Sequence, residues 1–578
     1  MRVTTVLVAV LAAWSAAPAE GSRHVAAHAP SLRSSAIVKQ QHRNLQAVNP
    51  ETWASAGSTY EPVAGKGSWE AGGSTGCILV HANLMKGGDV VGWSSRNQGP
   101  DGQDFGSVAY NAQSKTYETL LDECGVHGRG DDKCRNAFCG AQTTTALSEV
   151  LLFGGHADDI QWFRHYSHGT RDLEVKKMSS GRWYPGVVTL PDGRVMVVGG
   201  VNDSGKAGYH VADEPEYDNP SYEIYNPKTR SFSGDQWGMR DQLSAAFPIH
   251  TYPVLVVLPD GGLAMNAGSL LAKYKQVDEV TWEKAHDYPS RPGPPWQYPQ
   301  TGVGLPLPMV PPYDRLCLLA AGGSEDDEAG YGDPASDRAQ VIELTAGPQA
   351  QWQDVGPMPH RRIMADAVIL CDGTIGFFNG AEKGLAGWYD KPQEVQRRDG
   401  SSWHCEEKCS KAENPVYEPS IFNPGTGQWT AKGSLAEMGR QRLYHSVAIL
   451  LPDCRVLTAG SDVTWDKEAE IYSPPYFSRG PQPVITEAPS FVQAGQNMTV
   501  KYASADPVTR AILIRTGAVT HSTPFDARAL WLDFSSPANG TLSVATPARR
   551  AVLPPGMYQL SLLSDKGVPS TSAEISFP

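Results

Sequence analysis

The sequence lacks two patterns that would place it in large protein classes. Helical periodicity is nearly absent, and no segment beyond the N-terminus is apolar for long enough to cross a bilayer. The C-terminal residues also lack the hydrophobic tail of a lipid-anchor signal. What recurs instead is short apolar runs between turn residues. These observations predict a soluble all-β protein with no membrane partner.

Positive charge and zinc motifs are also scarce. Lys and Arg number 49 against 62 Asp and Glu, which gives a net charge of −13 and a pI near 5.6. This balance argues against nucleic acid and anionic membranes as partners. HExxH and Cys-rich zinc spacing do not occur. Six of the histidines outside the motifs below are interpreted as structural or surface residues: His81, His127, His156, His165, His168 and His250.

The N-terminus has the features of a secretory signal. A basic residue, Arg2, precedes a short apolar core, and small residues follow up to Ala19. We therefore expect residues 1–19 to be a signal peptide and the mature protein to be secreted and extracellular. Residues 20–66 are polar and without a strong period, which predicts a strap or propeptide too short for a core of its own.

The nine cysteines suggest disulfides, because an extracellular compartment is oxidising. Cys405 and Cys409 are near enough for a local bridge, as are Cys124 and Cys134. Nine is an odd number, so one cysteine must be free, paired between molecules or engaged in other chemistry. Three N-glycosylation sequons, at Asn202, Asn497 and Asn539, fit a secreted glycoprotein.

Residues 67–474 contain a repeated unit of a turn, an apolar strand and a Gly-Gly or Gly-Ser pair. A related turn introduces four of the units: LPDG at 190, LPDG at 258, LCDG at 370 and LPDC at 451. Short-stranded repeats at this spacing are typical of propeller blades, which bury their faces against one another. The seven units predict a seven-bladed, kelch-like β-propeller: GGDVVGW, EVLLFGG, GRVMVVGG, GGLAMNAGS, RLCLLAAGGS, GTIGFFNG and CRVLTAGS.

A proline-rich stretch beginning at Pro475 marks a domain boundary. The segments MTVKY, AILIRT, ALWLDF and MYQLSLLS then alternate apolar and polar residues. This pattern predicts an immunoglobulin-like β-sandwich over residues 475–578.

The segment RLYHS at 442–446 stands at the mouth of a predicted β-hairpin. Residues 447–451 and 455–458 read as its two strands, separated by a Pro-Asp turn. Neighbours in a regular strand point to opposite faces. Tyr444 and His445 can therefore reach one target only if the backbone is irregular there.

Four stretches together resemble the glyoxal oxidase and galactose oxidase family, the copper radical oxidases. The resemblance extends over about residues 67–578 and is nearer to the glyoxal oxidases. It rests on NAFCGA around Cys139, GRWYPGVVTLPDGRVMVVGG around Tyr184, RLYHSVAILLPDCRVLTAGS around Tyr444 and His445, and TGAVTHSTPFDARALWLDF around His521.

The resemblance implies one mononuclear copper ion. Tyr184, His445 and His521 would be its equatorial ligands and Tyr444 its axial ligand. Cys139 would be joined by a thioether bond to Tyr184, which would carry a tyrosyl radical. Two imidazoles and two phenol oxygens suit Cu(II). The cross-link would also account for the odd cysteine and leave eight that could pair.

The implied reaction is oxidation of an aldehyde to a carboxylic acid, with O2 reduced to H2O2 and Tyr444 as general base. Primary alcohols or galactose-type sugars are the nearest alternative substrates. A propeller that binds glycan or protein without catalysis is the alternative from another class. We expect a monomer. Residues 200–222 and 380–415 are expected to form loops above the site, and Trp162 or Trp183 to shield the radical.

Overall fold

The computed structural model describes residues 65–94, 106–120, 137–202, 215–326, 329–389, 392–397, 400–406, 408–461 and 463–578. The predicted signal peptide, nearly all of the strap, the Cys124–Cys134 pair and His127 lie outside these residues. Within them, no helix is both long and apolar enough to cross a membrane.

β-strands are the predominant regular secondary structure of the described residues. The propeller region contains β1 (Ser68–Ser74), β2 (His81–Leu84), β3 (Asp89–Trp93), β4 (Ser107–Asn111), β5 (Thr116–Thr119), β6 (Ala141–Thr144), β7 (Glu149–Phe153), β8 (Trp162–Ser167), β9 (Asp172–Lys177), β10 (Gly186–Thr189), β11 (Val195–Val198), β12 (Tyr222–Asn226), β13 (Ser231–Phe232), β14 (Val254–Val257), β15 (Leu263–Ala267), β16 (Leu270–Gln276), β17 (Trp282–Asp287), β18 (Gly302–Pro306), β19 (Cys317–Gly322), β20 (Arg338–Glu343), β21 (Trp352–Pro357), β22 (Asp366–Ile369), β23 (Ile375–Phe378), β24 (Ala381–Tyr389), β25 (Gln393–Gln396), β26 (Ser402–Cys405), β27 (Cys409–Pro415), β28 (Ser420–Asn423), β29 (Gln428–Trp429), β30 (Ser446–Leu450), β31 (Val456–Gly460) and β32 (Glu468–Ser473).

The C-terminal region contributes ten more strands. They are β33 (Val484–Glu487), β34 (Asn497–Ala503), β35 (Val508–Arg515), β36 (Ala518–Thr520), β37 (Thr523–Pro524), β38 (Ala529–Leu532), β39 (Phe534–Ala538), β40 (Thr541–Ala545), β41 (Gly556–Ser564) and β42 (Ala573–Phe577). One short α-helix, α1 (Arg240–Ala246), and the 3-10 segments Ala157–Asp159, Pro215–Tyr217, Leu344–Gln349 and Pro475–Arg479 complete the described elements.

The propeller strands form antiparallel sheets that follow one another along the chain. The sheets are β2–β5, β6–β9, β10–β13, β14–β17, β18–β21, β22–β23–β28–β29 and β30–β31–β32–β1. The first strand of each sheet is its inner strand. The inner strands contact each other in a closed cycle, in the order β2, β6, β10, β14, β18, β22, β30 and back to β2. The fold class expected from the sequence, an all-β propeller followed by a sandwich, is confirmed.

The last sheet is completed by the first strand. Ser68 pairs with Ser473 and Trp69 with Tyr472, so β1 supplies the outer strand of the sheet built from β30, β31 and β32. Both ends of the propeller region therefore lie in one sheet, and their backbone hydrogen bonds close the cycle of sheets.

The repeated turn has a backbone reason for its composition. Its fourth residue adopts a left-handed conformation, with φ of 89° at Gly193, 88° at Gly261 and 77° at Gly373. Glycine takes this conformation at little cost. The fourth turn has Cys454 at φ 67° instead, and its sulfur is bonded to Cys371 in the preceding sheet.

The C-terminal sandwich packs the sheet β33–β34–β40–β39 against β38–β35–β41–β42. Alternate residues of both sheets, such as Met498, Val500, Leu513 and Leu560, are buried between them. The hairpin β36–β37 leaves this domain and joins the propeller, where β36 pairs antiparallel with β2.

The described cysteines only partly follow the sequence-based expectations. The predicted Cys405–Cys409 bridge is present, and a second bridge joins Cys371 to Cys454. Cys317 is a buried thiol on β19 outside any disulfide, because it packs in the core rather than beside another sulfur. The expectation that eight cysteines could pair is therefore wrong for this residue.

Candidate metal centre

Inner strands of the propeller share an unusual backbone feature at their entry. One or two residues before β6, β10, β14, β18, β22 and β30, a non-glycine residue has positive φ. A left-handed non-glycine residue costs of order 1–3 kcal/mol and is characteristic of functional sites. These residues are Cys139 (65°), Tyr184 (59°), Tyr252 (48°), Thr301 (23°), Met364 (59°) and His445 (65°).

The structure brings the five predicted site residues together. Ligand atoms of Cys139, His445 and His521 lie within 4.8 Å of one another. The hydroxyl groups of Tyr184 and Tyr444 are hydrogen-bonded to each other. The Tyr184 ring centroid is 4.8 Å from that of His521, and all five side chains are buried.

The irregular backbone expected at Tyr444 and His445 is present. The left-handed conformation of His445 turns its side chain towards the same face as that of Tyr444, and their ring centroids are 3.7 Å apart. The predicted hairpin after them is formed by β30 and β31.

His521 reaches this cluster on the β36–β37 hairpin. Strand β36 contacts β2, β6 and β30, and β37 contacts β18 and β22, so the hairpin lies among the inner strands. The carboxylate of Asp526 anchors it: it accepts hydrogen bonds from the Thr189 amide at 2.8 Å, the Thr189 hydroxyl at 2.6 Å and the Thr143 hydroxyl. The C-terminal domain thus contributes directly to the centre of the propeller.

Two hydroxyl groups fix the orientation of the His521 imidazole. The oxygens of Tyr252 and Thr520 lie 3.1 and 2.5 Å from its Nδ1. Each hydroxyl already donates its single hydrogen to a backbone carbonyl, Tyr252 to Gly140 and Thr520 to Val80. Nδ1 must therefore carry the hydrogen, which leaves the Nε2 lone pair for a metal.

Burial controls the protonation of the site. Desolvation raises the pKa of Tyr184 and of Tyr444 well above the ordinary value for a phenol. It lowers the pKa of His445 and of His521 well below the ordinary value for an imidazole. Neutral imidazoles can coordinate a metal. A metal cation would also compensate the negative charge that forms when the phenols lose their protons. This nitrogen and oxygen donor set fits Cu(II).

Aromatic rings enclose Tyr184. Trp183 stacks on one face, with 3.8 Å between centroids and 10° between planes, and Tyr252 stacks at 4.5 Å. Of the two predicted shielding residues, Trp183 is therefore in place, whereas Trp162 lies on β8 with Lys177 over its ring.

Several neighbours of the site were missed from the sequence. Phe138 and Trp388 lie 4.7 and 5.3 Å from the His445 ring. Tyr252 precedes its inner strand by two residues, as Cys139 and Tyr184 do, and this shared repeat position could have revealed it.

His81 is also adjacent to the site. Its ring centroid is 6.0 Å from that of His521, and its Nδ1 bonds to Gln142 at 2.7 Å. Burial lowers the pKa of His81 to about 4. His165, His168 and His250 pair with Glu149, Asp89 and Asp218, as expected of structural residues.

The segment 380–415 is more regular than the predicted loop. Within its described residues it forms two hairpins, β24–β27 and β25–β26, and Trp388 of β24 covers Tyr444 and His445. Residues 203–214, the centre of the other predicted loop, lie outside the described part.

Two family models match the chain. "Glyoxal oxidase N-terminus" matches residues 133–398, and "Galactose oxidase-like, Early set domain" matches residues 482–577. The chain belongs to the glyoxal oxidase and galactose oxidase family. These models include the segments that carry Cys139, Tyr184 and His521.

Two individual relatives are similar to the chain over most of its length. The chain is 25% identical over 550 residues to "Aldehyde oxidase GLOX" of Vitis pseudoreticulata. The match covers 88% of this chain and 96% of that relative. It is 29% identical over 415 residues to a "WSC domain-containing protein" of Arthroderma benhamiae, covering 69% of the chain but only 39% of that longer protein.

A solved structure shares the fold. A fungal alcohol oxidase of the AA5 family, in complex with copper, superposes with a TM-score of 0.66 at 19% sequence identity. The match covers 89% of this chain and all of that one.

Proposed function

We propose that this protein is a secreted copper radical oxidase that oxidises aldehydes to carboxylic acids and reduces O2 to H2O2. The observation that carries the proposal is the meeting of two phenols, two imidazoles and one thiol from four distant segments, at Tyr184, Tyr444, His445, His521 and Cys139. The copper-bound structural neighbour and the relative named as an aldehyde oxidase are consistent with it.

Tyr184, Tyr444, His445 and His521 would hold the copper ion. When bound, copper would supply, with the radical, an acceptor for two electrons that O2 later removes. Each turnover converts an aldehyde hydrate, RCH(OH)2, and O2 into RCOOH and H2O2.

The chain's own residues have distinct tasks in this reaction. Tyr444 takes the hydroxyl proton of the substrate, and its bond to Tyr184 places the two phenols side by side. Tyr184, as the radical, takes the hydrogen from carbon. Trp183 and Tyr252 cover its ring and exclude water. Phe138 and Trp388 pack beside the His445 ring and would line the approach to it.

Cys139 is the proposed partner of Tyr184 in a thioether. Its Sγ lies 3.8 Å from His521 Nε2, and both Cys139 and Tyr184 belong to one buried cluster. A sulfur substituent donates electron density to the phenol, which makes oxidation to a radical easier.

The test is peptide mapping of copper-loaded protein by mass spectrometry, combined with peroxide assays. We expect one species that contains the Cys139 and Tyr184 peptides, two hydrogens lighter than their sum and resistant to thiol reductants. Cys139→Ser should abolish both this species and peroxide release. Cys317→Ser replaces another buried thiol, on β19, and is the matched control.

Separate peptides, or a bridge that thiols cleave, would contradict the proposal and favour a binding platform. Primary alcohols and galactose are assayed alongside aldehydes, because the same centre serves all three classes. Faster turnover of an alcohol than of any aldehyde would reassign the substrate while leaving the copper chemistry intact.

A further inference from the structure

The β24–β27 hairpin covers part of the candidate copper site. It forms a two-stranded sheet of its own, inserted between β23 and β28. Trp388, near the end of β24, lies 5.4 Å from the Tyr444 ring and 5.3 Å from the His445 ring. Tyr444 and His445 are only 4% and 2% exposed, whereas Trp388 is partly exposed. The indole therefore lies between solvent and two of the proposed ligands.

The start of β24 is bonded to loops of the β18–β21 sheet. The Gly384 amide donates a hydrogen bond to the Asp333 carbonyl at 2.8 Å, and the Ala386 amide donates one to the Pro299 carbonyl at 3.1 Å. Pro299 precedes β18, and Asp333 lies between β19 and β20. Because these backbone bonds fix the start of β24, a displacement of the hairpin would move its far end, where Trp388 lies.

Lys408 joins this far end to a second propeller sheet. Its Nζ is 4.2 Å from the ring centroid of Trp388 and 4.3 Å from that of Trp465. Trp465 lies between β31 and β32 and has a left-handed backbone, with φ of 54°. The next residue, Asp466, binds Arg440 at 3.2 Å and holds this loop in place. Each indole face attracts the cation, so the ammonium group links the hairpin to the sheet of β30, β31 and β32.

The position of Lys408 within the hairpin is constrained. The Cys405–Cys409 disulfide closes the turn that carries Lys408. Strand β27 begins at Cys409, and Ser410 lies opposite Trp388 in the pairing with β24. Lys408 and Trp388 therefore move together, and their separation from Trp465 would uncover the proposed ligands.

We propose that Lys408 latches the β24–β27 hairpin to Trp465, and that this latch limits the size of the molecules that reach the candidate copper site. The inference rests on the proposed oxidase function. Because Tyr444 and His445 are buried beneath Trp388, a bulky substrate enters only when the indole moves away. Two cation–π contacts oppose that movement. Lys408 thus determines specificity without touching the substrate.

The first measurement follows the exposure of His445 in the copper-free protein. Diethyl pyrocarbonate acylates neutral imidazoles that solvent reaches, and mass spectrometry of peptides locates the modified residue. Lys408→Ala and Trp465→Leu break the latch from its two sides, whereas Lys408→Arg keeps a cation between the indoles. Lys411→Ala removes a cation over Tyr389 within the same hairpin and is the matched control.

We expect His445 to react about tenfold faster in Lys408→Ala and in Trp465→Leu, which corresponds to a loss of about 1.4 kcal/mol of cation–π attraction. The double variant should stay within about threefold of either single variant, because both changes remove the same contact. Lys408→Arg and Lys411→Ala should stay within about threefold of wild type. The buried His250 reports general loosening of the fold and should react at the wild-type rate in every variant.

The second measurement tests size selection in the copper-loaded enzyme. It compares acetaldehyde with phenylacetaldehyde, which adds one phenyl ring, by peroxide release. We expect the phenylacetaldehyde-to-acetaldehyde ratio of kcat/KM to rise by about fivefold or more in Lys408→Ala and Trp465→Leu. The smaller aldehyde requires less displacement of Trp388, so its rate should change less. Lys411→Ala should keep the wild-type ratio.

Equal reactivity of His445 in wild type and both latch variants would overturn the inference, whatever the oxidase assays give. Equal acceleration in Lys411→Ala, or at His250, would also overturn it, because the fold would then be loosened generally. Faster reaction of His445 with an unchanged aldehyde ratio would overturn the role in size selection. If His445 responds as expected but wild type gives neither the cross-link nor peroxide, the latch stands and the proposed oxidase function fails.

Discussion

Trp183 and Tyr184 are consecutive in the chain, yet their rings stack with 3.8 Å between centroids. In a regular strand two neighbours would point to opposite faces. The left-handed backbone of Tyr184, at φ 59°, removes that constraint. The tryptophan therefore covers the ring proposed to hold the radical, and Tyr252 stacks against the same ring at 4.5 Å.

Replacing Trp183 should destabilise the radical more than the fold of the site. A stacked aromatic pair contributes about 1 kcal/mol beyond buried area, so we expect Trp183→Leu to lower the radical yield at fixed oxidant by about fivefold. The measurement is the absorption of the oxidised protein over time, with copper content determined in parallel. Trp162→Leu, on β8, should leave the yield unchanged, and a similar loss in both variants would contradict the role of Trp183.

Much of the fold was predictable because its signals are local. The LPDG turns need a left-handed fourth residue, and glycine supplies it at Gly193, Gly261 and Gly373. The alternation in β34 and β41 predicted the sandwich. The irregular backbone at His445 followed from strand geometry together with the ligand roles that the family resemblance implies, because two adjacent side chains would then face one target.

The neighbours of the site were not predictable in the same way, because they depend on contacts between distant segments. The contact of Tyr252 with His521 joins residues that are 269 positions apart. The pairing of His81 with Thr520 requires a C-terminal hairpin to enter the propeller. Hydrophobic periodicity reports which residues are buried, but not which strands meet.

The Tyr252 and Thr520 hydroxyl groups should set the copper affinity of His521. Outer hydrogen bonds of this kind typically change metal affinity by 10–100-fold. We expect Tyr252→Phe or Thr520→Val to weaken copper binding by about tenfold, and the double variant to weaken it further. Competition with a chelator of known affinity measures this. Thr516→Val, two residues before β36 and bonded to the Met557 carbonyl, is the control. Unchanged affinity in the double variant would contradict the assigned tautomer.

The Cys371–Cys454 disulfide should stabilise the propeller more than the Cys405–Cys409 disulfide. The bonded residues are 83 positions apart in the first and 4 in the second. Loop-closure entropy then gives about 4.6 and about 1.9 kcal/mol. We expect Cys371→Ala/Cys454→Ala to lower the thermal midpoint clearly more than Cys405→Ala/Cys409→Ala. Equal shifts, measured by calorimetry at one scan rate, would contradict this order.

Asp366 should make stability depend on pH. Its carboxyl is buried on β22 and accepts one hydrogen bond from Asn379 at 2.7 Å. Burial raises the pKa of Asp366 well above its ordinary value of 3.8. As the pH rises through 3.8, the unfolded chain releases this proton while the folded chain retains it. The stabilising contribution is therefore complete below that pH and is lost as the pH approaches the folded-state pKa.

Asp366→Asn removes the ionisable group but keeps a carbonyl oxygen for Asn379. Relative to wild type, its free energy of unfolding should increase with pH by up to about 1.4 kcal/mol per unit, starting near pH 4. Denaturant titrations at pH 5 and pH 8 measure the change. Asp192→Asn makes the same substitution in an exposed turn. An identical pH dependence in both variants would show that the effect does not come from the buried carboxyl, because only Asp366 is shielded from water by the propeller core.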